Sequence, residues 1–356
     1  MRDLGRRSVA LVACAATLGG AAVAQEHVTP RADVLLYGDN TEFRNPFREG
    51  ETILGAAARI GADLEVSPRV TLSLGVFGNQ RFGSEKAFEQ VRPVISLRVH
   101  GRRSDFVFGT LPAQRVDIPP GPDRMGPHAL LPPLQRETLT FDRPYEAGLQ
   151  WDVAGGLLRH SVWLEWQRVN TPEHRERFDG GLNLEVRAKS ALSFPAQVHV
   201  VHEGGQLFSK GAVADSPGAA AGVALSKSIG PTRTSVDVYG LLSRYVPDRS
   251  RPALSRDGVA FFGRAAAERN GWRGHVIFWR GRNFIKDEGD PNYLSIRRDG
   301  SRYRGTRDYA EAGVSRRFFL APAASLDVSG RVHRVENHYE YSYRVVSVIG
   351  VRWRVR

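Results

Sequence analysis

A histidine beside a serine is the first arrangement in this sequence that could do covalent chemistry, because an imidazole can activate a hydroxyl as a nucleophile. The pair is His160–Ser161. It lies in a segment with strand-like alternation, however, and adjacent side chains of a strand point to opposite faces. The sequence also has no nucleophile-elbow serine motif, no H-E-x-x-H motif and no phosphate-binding loop. We therefore expect no catalytic residues and predict that the chain is not an enzyme.

Metal ligands are also poorly placed in the sequence. His199 and His202 are three residues apart on one predicted strand, which puts them on opposite faces. His333 and His338 are interpreted as lumen and loop residues. The acidic run 286–292 lacks the spacing of an EF-hand loop. The sequence thus predicts neither a metal ion nor a cofactor.

Arginine is the charged residue that stands out. The chain has 50 Lys and Arg residues against 38 Asp and Glu, and only five of the 50 are lysine. Arginine presents a planar fork of donors that suits carboxylate and phosphate, so the bias favours recognition or passage of anions. A GC-rich genome, whose codons favour arginine, is the alternative explanation.

The first 24 residues have the pattern of a cleaved secretory signal peptide: a basic head, an apolar run and the small-x-small ending Ala22-Val23-Ala24. A lipoprotein box ending at Cys14 is the alternative, in which Cys14 is lipidated. Removal of residues 1–24 takes away three arginines and one aspartate, which lowers the net charge from +12 to +10. It also removes the only cysteine, so we expect no disulfide in the exported chain.

The remaining sequence alternates with the period of a β-strand. Between Ile53 and Val66, apolar residues alternate with small or charged ones, and the pattern resumes at Val70 after the turn Ser67-Pro68-Arg69. The chain after residue 24 has no apolar run near the roughly 20 residues that a membrane-spanning helix needs. The polar face is rich in arginine, carboxylates and small residues. A wet interior and an apolar exterior therefore fit better than a soluble sandwich.

Connection lengths support a barrel. Short links alternate with longer polar ones, as do the periplasmic turns and external loops of outer-membrane barrels. This rhythm predicts an all-β, antiparallel transmembrane barrel of about 16 strands, with 14 or 18 also compatible. The predicted short links are 67–69, 101–104, 154–158, 190–194, 229–232, 269–271 and 319–323, and the predicted long links are 39–50, 79–88, 112–143, 169–178, 204–217, 244–256, 281–305 and 336–340.

In these features the chain resembles the general outer-membrane porins, over nearly all of residues 25–356, which we interpret as one domain. The resemblance lies in the pattern and includes no family-specific motif. It implies localisation in the outer membrane, contact with outer-membrane lipids and lipopolysaccharide, and folding by the barrel-assembly machinery. It also implies assembly into a homotrimer, as is common among general porins, and no nucleic-acid partner.

The Pro-rich link 111–143 is the most unusual segment. Its prolines disfavour both a strand and a flexible tail, and in porin-like proteins such a loop commonly folds into the barrel and narrows the pore. By that resemblance its acids would face arginines of the wall and set up a charge filter. An external cap is the alternative. The constriction acids are Asp117, Asp123, Glu137 and Asp142, and the lumen or selectivity arginines are Arg59, Arg92, Arg98, Arg187, Arg331, Arg344 and Arg352.

The sequence therefore predicts a pore for passive diffusion of small hydrophilic solutes, with a preference for anions that rests on the charge excess. An exporter of an acidic polysaccharide would also use an arginine-lined barrel. An outer-membrane enzyme that modifies lipids is the alternative from a different class, and a soluble or periplasmic β-protein is a further one.

Overall fold

The computed structural model describes residues 28–112 and 127–353. The predicted signal peptide 1–24, Cys14, Asp117 and Asp123 lie outside the described residues. Sixteen strands form one closed sheet in which each strand pairs with its neighbours in sequence and β1 pairs with β16. All pairings are antiparallel. The predicted strand number and fold class are confirmed.

The strands are β1 (Val28–Arg44), β2 (Glu49–Ser67), β3 (Val70–Arg81), β4 (Gln90–His100), β5 (Ser104–Thr110), β6 (Ala147–Ala154), β7 (Leu158–Arg168), β8 (Glu176–Arg187), β9 (Leu192–Gly204), β10 (Ala214–Ile229), β11 (Thr232–Tyr245), β12 (Arg256–Arg269), β13 (Trp272–Arg282), β14 (Thr306–Ala321), β15 (Ala324–Val335) and β16 (His338–Arg352). One helical turn, α1 (Leu139–Asp142), and two 3-10 turns, Pro252–Leu254 and Pro291–Tyr293, lie in the links. Among the described residues, no helix is both long and apolar enough to cross a membrane.

The alternation in the sequence sorts side chains between lumen and exterior. In the β2–β3 hairpin, Arg59 and Phe77 are cross-strand partners that point inward and are almost fully buried. Their neighbours Ile60 and Val76 point outward and are more than half exposed. Apolar side chains left exposed on one continuous outer face are what a lipid-facing wall requires.

Seven short links lie at the end of the barrel that also carries Val28 and Arg352. The other end, which we call the outer end, carries links 45–48, 82–89, 111–146, 169–175, 205–213, 246–255, 283–305 and 336–337. One predicted long link, 336–340, is wrong: it is the two-residue turn Glu336–Asn337, with Glu336 at φ +54°. A turn this tight fixes the register of β15 on β16, with Val335 opposite His338.

Two links of the outer end fold back into the lumen. Residues 127–146 and 283–305 are joined by backbone bonds from Arg136 N to Glu288 O (2.6 Å) and from Asp290 N to Pro132 O (2.9 Å). Their apolar side chains form a core inside the barrel, where Leu134 and Phe284 are fully buried. Burying one such side chain contributes about 1.5–3 kcal/mol, so the two links are held by packing as well as by hydrogen bonds.

Candidate functional site

Strand register brings polar side chains of β14, β15 and β16 together on the lumen face. Glu311 of β14 lies opposite His333 of β15, and Arg331 of β15 lies opposite Ser342 of β16. Opposite residues of an antiparallel pair have Cβ atoms about 4.5–5.5 Å apart, and diagonal neighbours remain within reach of longer side chains. Ser342 is diagonal to His333, so the imidazole lies between a hydroxyl and a carboxylate.

A continuous chain of hydrogen bonds joins these side chains. Ser342 Oγ is 2.8 Å from His333 Nε2, and His333 Nδ1 is 2.7 Å from the Tyr309 hydroxyl. That hydroxyl donates to Glu311 Oε2 at 2.6 Å. All four residues are buried, and both ends of the imidazole are therefore engaged.

Donor and acceptor chemistry assigns the protons of this chain. The Tyr309 hydroxyl has one proton, which goes to the Glu311 carboxylate because an ionised carboxylate can only accept. His333 Nδ1 must then donate to the tyrosine oxygen, which leaves Nε2 as the unprotonated nitrogen. His333 Nε2 accepts from the Ser342 hydroxyl. This is the tautomer that a general base needs to remove the proton of a serine.

Two further side chains hold Glu311 in place. His275 Nε2 is 2.8 Å from Glu311 Oε1, and Arg331 NH1 is 3.6 Å from the same oxygen. The direct separation of His333 Nδ1 and Glu311 Oε2 is 3.5 Å, so Tyr309 carries the contact between them. The arrangement has the nucleophile, base and orienting group of a catalytic triad, with a tyrosine inserted between base and carboxylate.

Ser342 lines a cavity to which both inward links contribute residues. Glu137 of link 111–146 accepts from Arg331 (2.9 Å) and from Arg344 (3.0 Å). Burial alone would raise the pKa of the Glu137 carboxyl, but attraction from Arg331 and then Arg344 outweighs it and holds the pKa below its usual range. The residues that line the cavity are Asp39, Thr41, Phe43, Arg48, Pro132, Glu137, Thr138, Asp290, Asn292, Tyr293, Tyr309, Glu311, Arg331, His333, Ser342 and Arg344.

A second polar cluster lies on the wall formed by β7, β8 and β9. Arg143 of link 111–146 contacts Glu165 (3.1 Å), Asp179 (3.4 Å) and Glu288 (2.9 Å). Burial would lower the pKa of the Arg143 guanidinium, but Glu288 and Glu165 raise it well above its usual value. Asp179, His199 and Glu288 each offer a ligand atom, and these atoms lie within 4.8 Å of one another. This is the group of described residues that could hold a metal ion.

The structure brings together some of the predicted constriction and selectivity residues. Glu137 meets Arg331 and Arg344, as the sequence suggested for link acids and wall arginines. Asp142 instead contacts Arg81 (2.6 Å) and Arg136 (3.1 Å), neither of which was predicted.

The other predicted arginines are dispersed. Arg59 donates to the backbone oxygens of Leu111 (2.6 Å) and Pro144 (3.2 Å), and Arg187 pairs with Glu185 (3.2 Å). Arg92 is exposed and Arg98 half-buried on the inward face of β4, and Arg352 is exposed near the end of β16. A selectivity role for these arginines stays a prediction.

Sequence reasoning missed Ser342, Tyr309 and Glu311 and gave His333 only a lumen position. A signal for them exists: Tyr309 and Glu311, then Arg331 and His333, are polar residues two apart on consecutive predicted strands. Such pairs share one face. The signal becomes a site only when the register of β14–β16 is known.

Comparison with known proteins gives one family. The family model described as Lipid A 3'-O-deacylase-type matches residues 23–355. No curated protein sequence matches the chain. The family finding shows that the prediction of a chain that is not an enzyme is wrong, because a deacylase is an enzyme. The error followed from testing only sequence-adjacent serine and histidine, whereas the barrel pairs residues of different strands.

Solved structures similar to this barrel are outer-membrane porins. OccK8 (OprE) of Pseudomonas aeruginosa has a TM-score of 0.53 at 10% identity, with 92% of this chain and 98% of that chain covered. OmpT of Vibrio cholerae lacking loop L8 has a TM-score of 0.56 at 10% identity, with 92% and 99% covered. The trimer form of OmpT has a TM-score of 0.53 at 10% identity, with 92% and 99% covered. The chain has a porin-like β-barrel fold, as predicted; at this identity the likeness concerns the fold alone.

Proposed function

The chain belongs to the Lipid A 3'-O-deacylase-type family, and from this membership we propose that it hydrolyses acyl esters of an outer-membrane lipid with Ser342 as nucleophile. The observation that carries the proposal is the hydrogen-bonded chain Ser342–His333–Tyr309–Glu311. It pairs a hydroxyl with an unprotonated imidazole nitrogen and fixes the far side of the ring. These are the parts that acyl transfer by a serine requires.

The reaction follows from these positions. Ser342 Oγ attacks the ester carbonyl carbon while its proton passes to His333 Nε2. The C–O bond of the ester then breaks, and the leaving alkoxide takes that proton from the imidazolium. A water that gives its proton to the same imidazole then attacks the acyl carbon. The bond between that carbon and Ser342 Oγ breaks, Oγ takes the proton from the imidazolium, and the fatty acid leaves. Arg48 and Arg344 line the cavity with Ser342 and are the donors that we assign to the oxyanion of each tetrahedral intermediate.

The rim of the barrel next to Ser342 supports a lipid substrate. Ser342 is the fifth residue of β16, directly below the two-residue turn 336–337, where no long external loop stands over the wall. The outward face of the same strand carries Tyr339, Tyr341 and Tyr343, all more than half exposed. Such rings settle at the boundary between membrane and water. A lipid at this boundary would have its shortest path to Ser342 over this turn.

Mass spectrometry of lipid A tests the proposal. Purified full-length protein in detergent is incubated with lipid A, and the product is expected to have lost the mass of one acyl chain. Ser342→Ala should remove this product. Ser347→Ala is the matched control, because Ser347 lies on the same strand but on the outward face and should leave the activity unchanged.

A folded wild-type protein that leaves lipid A intact, or a Ser342→Ala variant as active as wild type, contradicts the proposal. Labelling by a fluorophosphonate, which reacts with activated serines, shows whether Ser342 is reactive when lipid A is left intact. A label on Ser342 without activity on lipid A points to another ester as the substrate.

Passive diffusion of small anionic solutes is a second candidate function. The porin-like barrel supports it, as do Arg92 and Arg98 on the inward face of β4. Conductance across planar bilayers in asymmetric salt tests this function. We expect a stable single-channel step with a reversal potential that indicates anion preference, and absence of conductance would contradict a pore. Block by a polyanion but not by a neutral sugar would favour export of an acidic polysaccharide. Assembly into a homotrimer stays a prediction that native mass spectrometry can test.

A further inference from the structure

The cluster on β8 and β9 is built from two wall residues and one residue of an inward link. Asp179 lies on β8, His199 on β9 and Glu288 in link 283–305. Both wall side chains are fully buried. The chain thus places one imidazole nitrogen and two carboxylates, from three separate segments, within 4.8 Å of one another.

The imidazole of His199 has a fixed orientation. His199 Nδ1 is 3.1 Å from the backbone oxygen of Leu134, and a carbonyl oxygen can only accept, so Nδ1 carries the proton. In the neutral ring, Nε2 therefore presents a lone pair, and it lies 3.5 Å from Asp179 Oδ2. Among the described residues, His199 Nε2 and Asp179 Oδ1 are buried without a hydrogen-bond partner. Two acceptors that face each other in a dry site repel unless a proton or a metal cation lies between them.

The neighbouring cations contact the carboxylates of the cluster but leave His199 Nε2 and Asp179 Oδ1 without a hydrogen-bond partner in the described part of the chain. Arg143 is shared among Glu165, Asp179 and Glu288, and Arg177 adds one longer contact of 3.5 Å to Glu288. The buried ammonium of Lys286 also attracts Glu288 and Asp179, so several cations share the charge of these carboxylates.

We propose that Asp179, His199 and Glu288 bind a Zn²⁺ ion. A nitrogen of imidazole with carboxylate oxygens is a donor set that zinc accepts at about 2.0–2.2 Å. A tetrahedron with such bonds has edges of roughly 3.4 Å, close to the 3.5 Å between His199 Nε2 and Asp179 Oδ2. Ca²⁺ and Mg²⁺ take oxygen ligands and would not use His199. The bond from Nδ1 to a backbone carbonyl is the outer contact that ligating histidines commonly make.

The ion would tie both inward links to the wall. Glu288 belongs to link 283–305, and Leu134, which orients His199, belongs to link 111–146. The ion is assigned the role of holding the links to the wall, at a place distinct from Ser342. The inference is independent of the proposed deacylase activity.

Zinc binding by the full-length protein in detergent is the test. After treatment with a chelator, the folded protein is exposed to one equivalent of Zn²⁺ and its metal content is measured, with Ca²⁺ and Mg²⁺ as comparison ions. We expect one zinc per chain. His199→Gln and Asp179→Asn should weaken binding by at least about 100-fold. His202→Gln is the control, because His202 lies on the same strand and pairs with Asp215 outside the cluster.

Two outcomes overturn the proposal: folded wild-type protein that retains no zinc, or His199→Gln that binds zinc as tightly as wild type. If a variant fails to fold, as judged by heat-modifiable migration on gels, the visible absorption of Co²⁺ bound to the wild-type protein tests the site instead. A tetrahedral site gives intense absorption bands in the visible range, and their absence also overturns the proposal.

Discussion

His333 and His199 occupy the same lumen, and each has Nδ1 engaged by an oxygen: the Tyr309 hydroxyl for one and the Leu134 carbonyl for the other. They differ in what Nε2 meets. For His333 it is the hydroxyl of Ser342; for His199 it is the carboxylate of Asp179. A lone pair that accepts a proton from a hydroxyl suits a base, whereas one that faces a carboxylate suits a metal ligand. The residue type is the same, and the neighbour decides its chemistry.

Link 111–146 contacts the two regions with opposite charges. On the β15–β16 wall its Glu137 meets Arg331 and Arg344. On the β7–β8 wall its Arg143 meets Glu165 and Asp179. The sequence suggested only the first kind of contact. Because each half of the link complements one side of the wall, rotating the link within the barrel would bring like charges together.

Loss of the base should have the largest effect and separates the two histidines most sharply. His333→Gln is expected to lower the rate of lipid A deacylation about 10³-fold, within the range for a removed general base, and to leave the zinc content unchanged. His338→Gln is the control, because His338 is an exposed histidine directly after the turn 336–337. Equal activity of wild type and His333→Gln contradicts the role of Ser342 and His333 as a pair.

Removing the charge of Glu137 should release one end of the link. Glu137→Gln loses charge-assisted hydrogen bonds, worth about 2–3 kcal/mol, and amides of 127–146 should exchange faster with deuterium at pH 7. Glu173→Gln, in the exposed link 169–175, should change nothing. If exchange near Arg143 rises as much as near Glu137, the two contacts are one cooperative unit.

The same carboxylate predicts a pH dependence. The pKa of Glu137 is lowered on folding, so its contribution to stability is fully present above the unfolded pKa of about 4.3 and is lost as the pH falls through the lower folded value. The melting temperature of the wild type should therefore fall more between pH 5 and 3 than that of Glu137→Gln. If the melting temperatures of the two proteins fall equally between pH 5 and pH 3, ionised Glu137 does not contribute to stability as proposed.

Tyr309→Phe tests whether the tyrosine relays the contact between base and carboxylate. Without the hydroxyl, His333 Nδ1 has Glu311 Oε2 at 3.5 Å, so the ring stays near its position but loses its orienting bond. We expect a fall in kcat of about 10- to 30-fold, less than for misplacement by a full ångström, with KM unchanged. A fall as large as that of His333→Gln would instead mean that Tyr309 takes part in proton transfer.

The fold was predictable from the sequence because strand alternation and link rhythm are local signals. Ile53–Val66 shows its lumen face directly, and the strand number follows from the links. The site was not predictable, because it depends on register. The sequence predicts a five-residue link at 336–340 where the structure has a two-residue turn, and without Val335 opposite His338 nothing places His333 beside Ser342. The spacing of His199 and His202 argues against a metal pair, and only the structure places Asp179 of β8 and Glu288 of link 283–305 beside His199.

The location of the tryptophan side chains was also not predictable from the sequence. Trp151 and Trp272 are about half exposed on the outer face, in keeping with a membrane-boundary role, whereas Trp163 and Trp279 are buried in the lumen. Only the parity of each position along its strand separates the two groups, and parity is lost wherever a strand boundary is uncertain.

The smallest effect is expected at an ion pair that anchors no link. Arg187 NH2 is 3.2 Å from Glu185 Oε2, and both side chains are about one third exposed. Exposed pairs contribute about 0.2–1 kcal/mol, so Arg187→Ala should lower the free energy of unfolding by less than about 1 kcal/mol, measured by urea titration in lipid vesicles. Arg187→Lys, which keeps the charge, is the control. A loss as large as that of Glu137→Gln would mean that ion pairs within the wall stabilise the barrel as strongly as the contacts between the wall and the links. The contrast between these two kinds of contact would then be wrong.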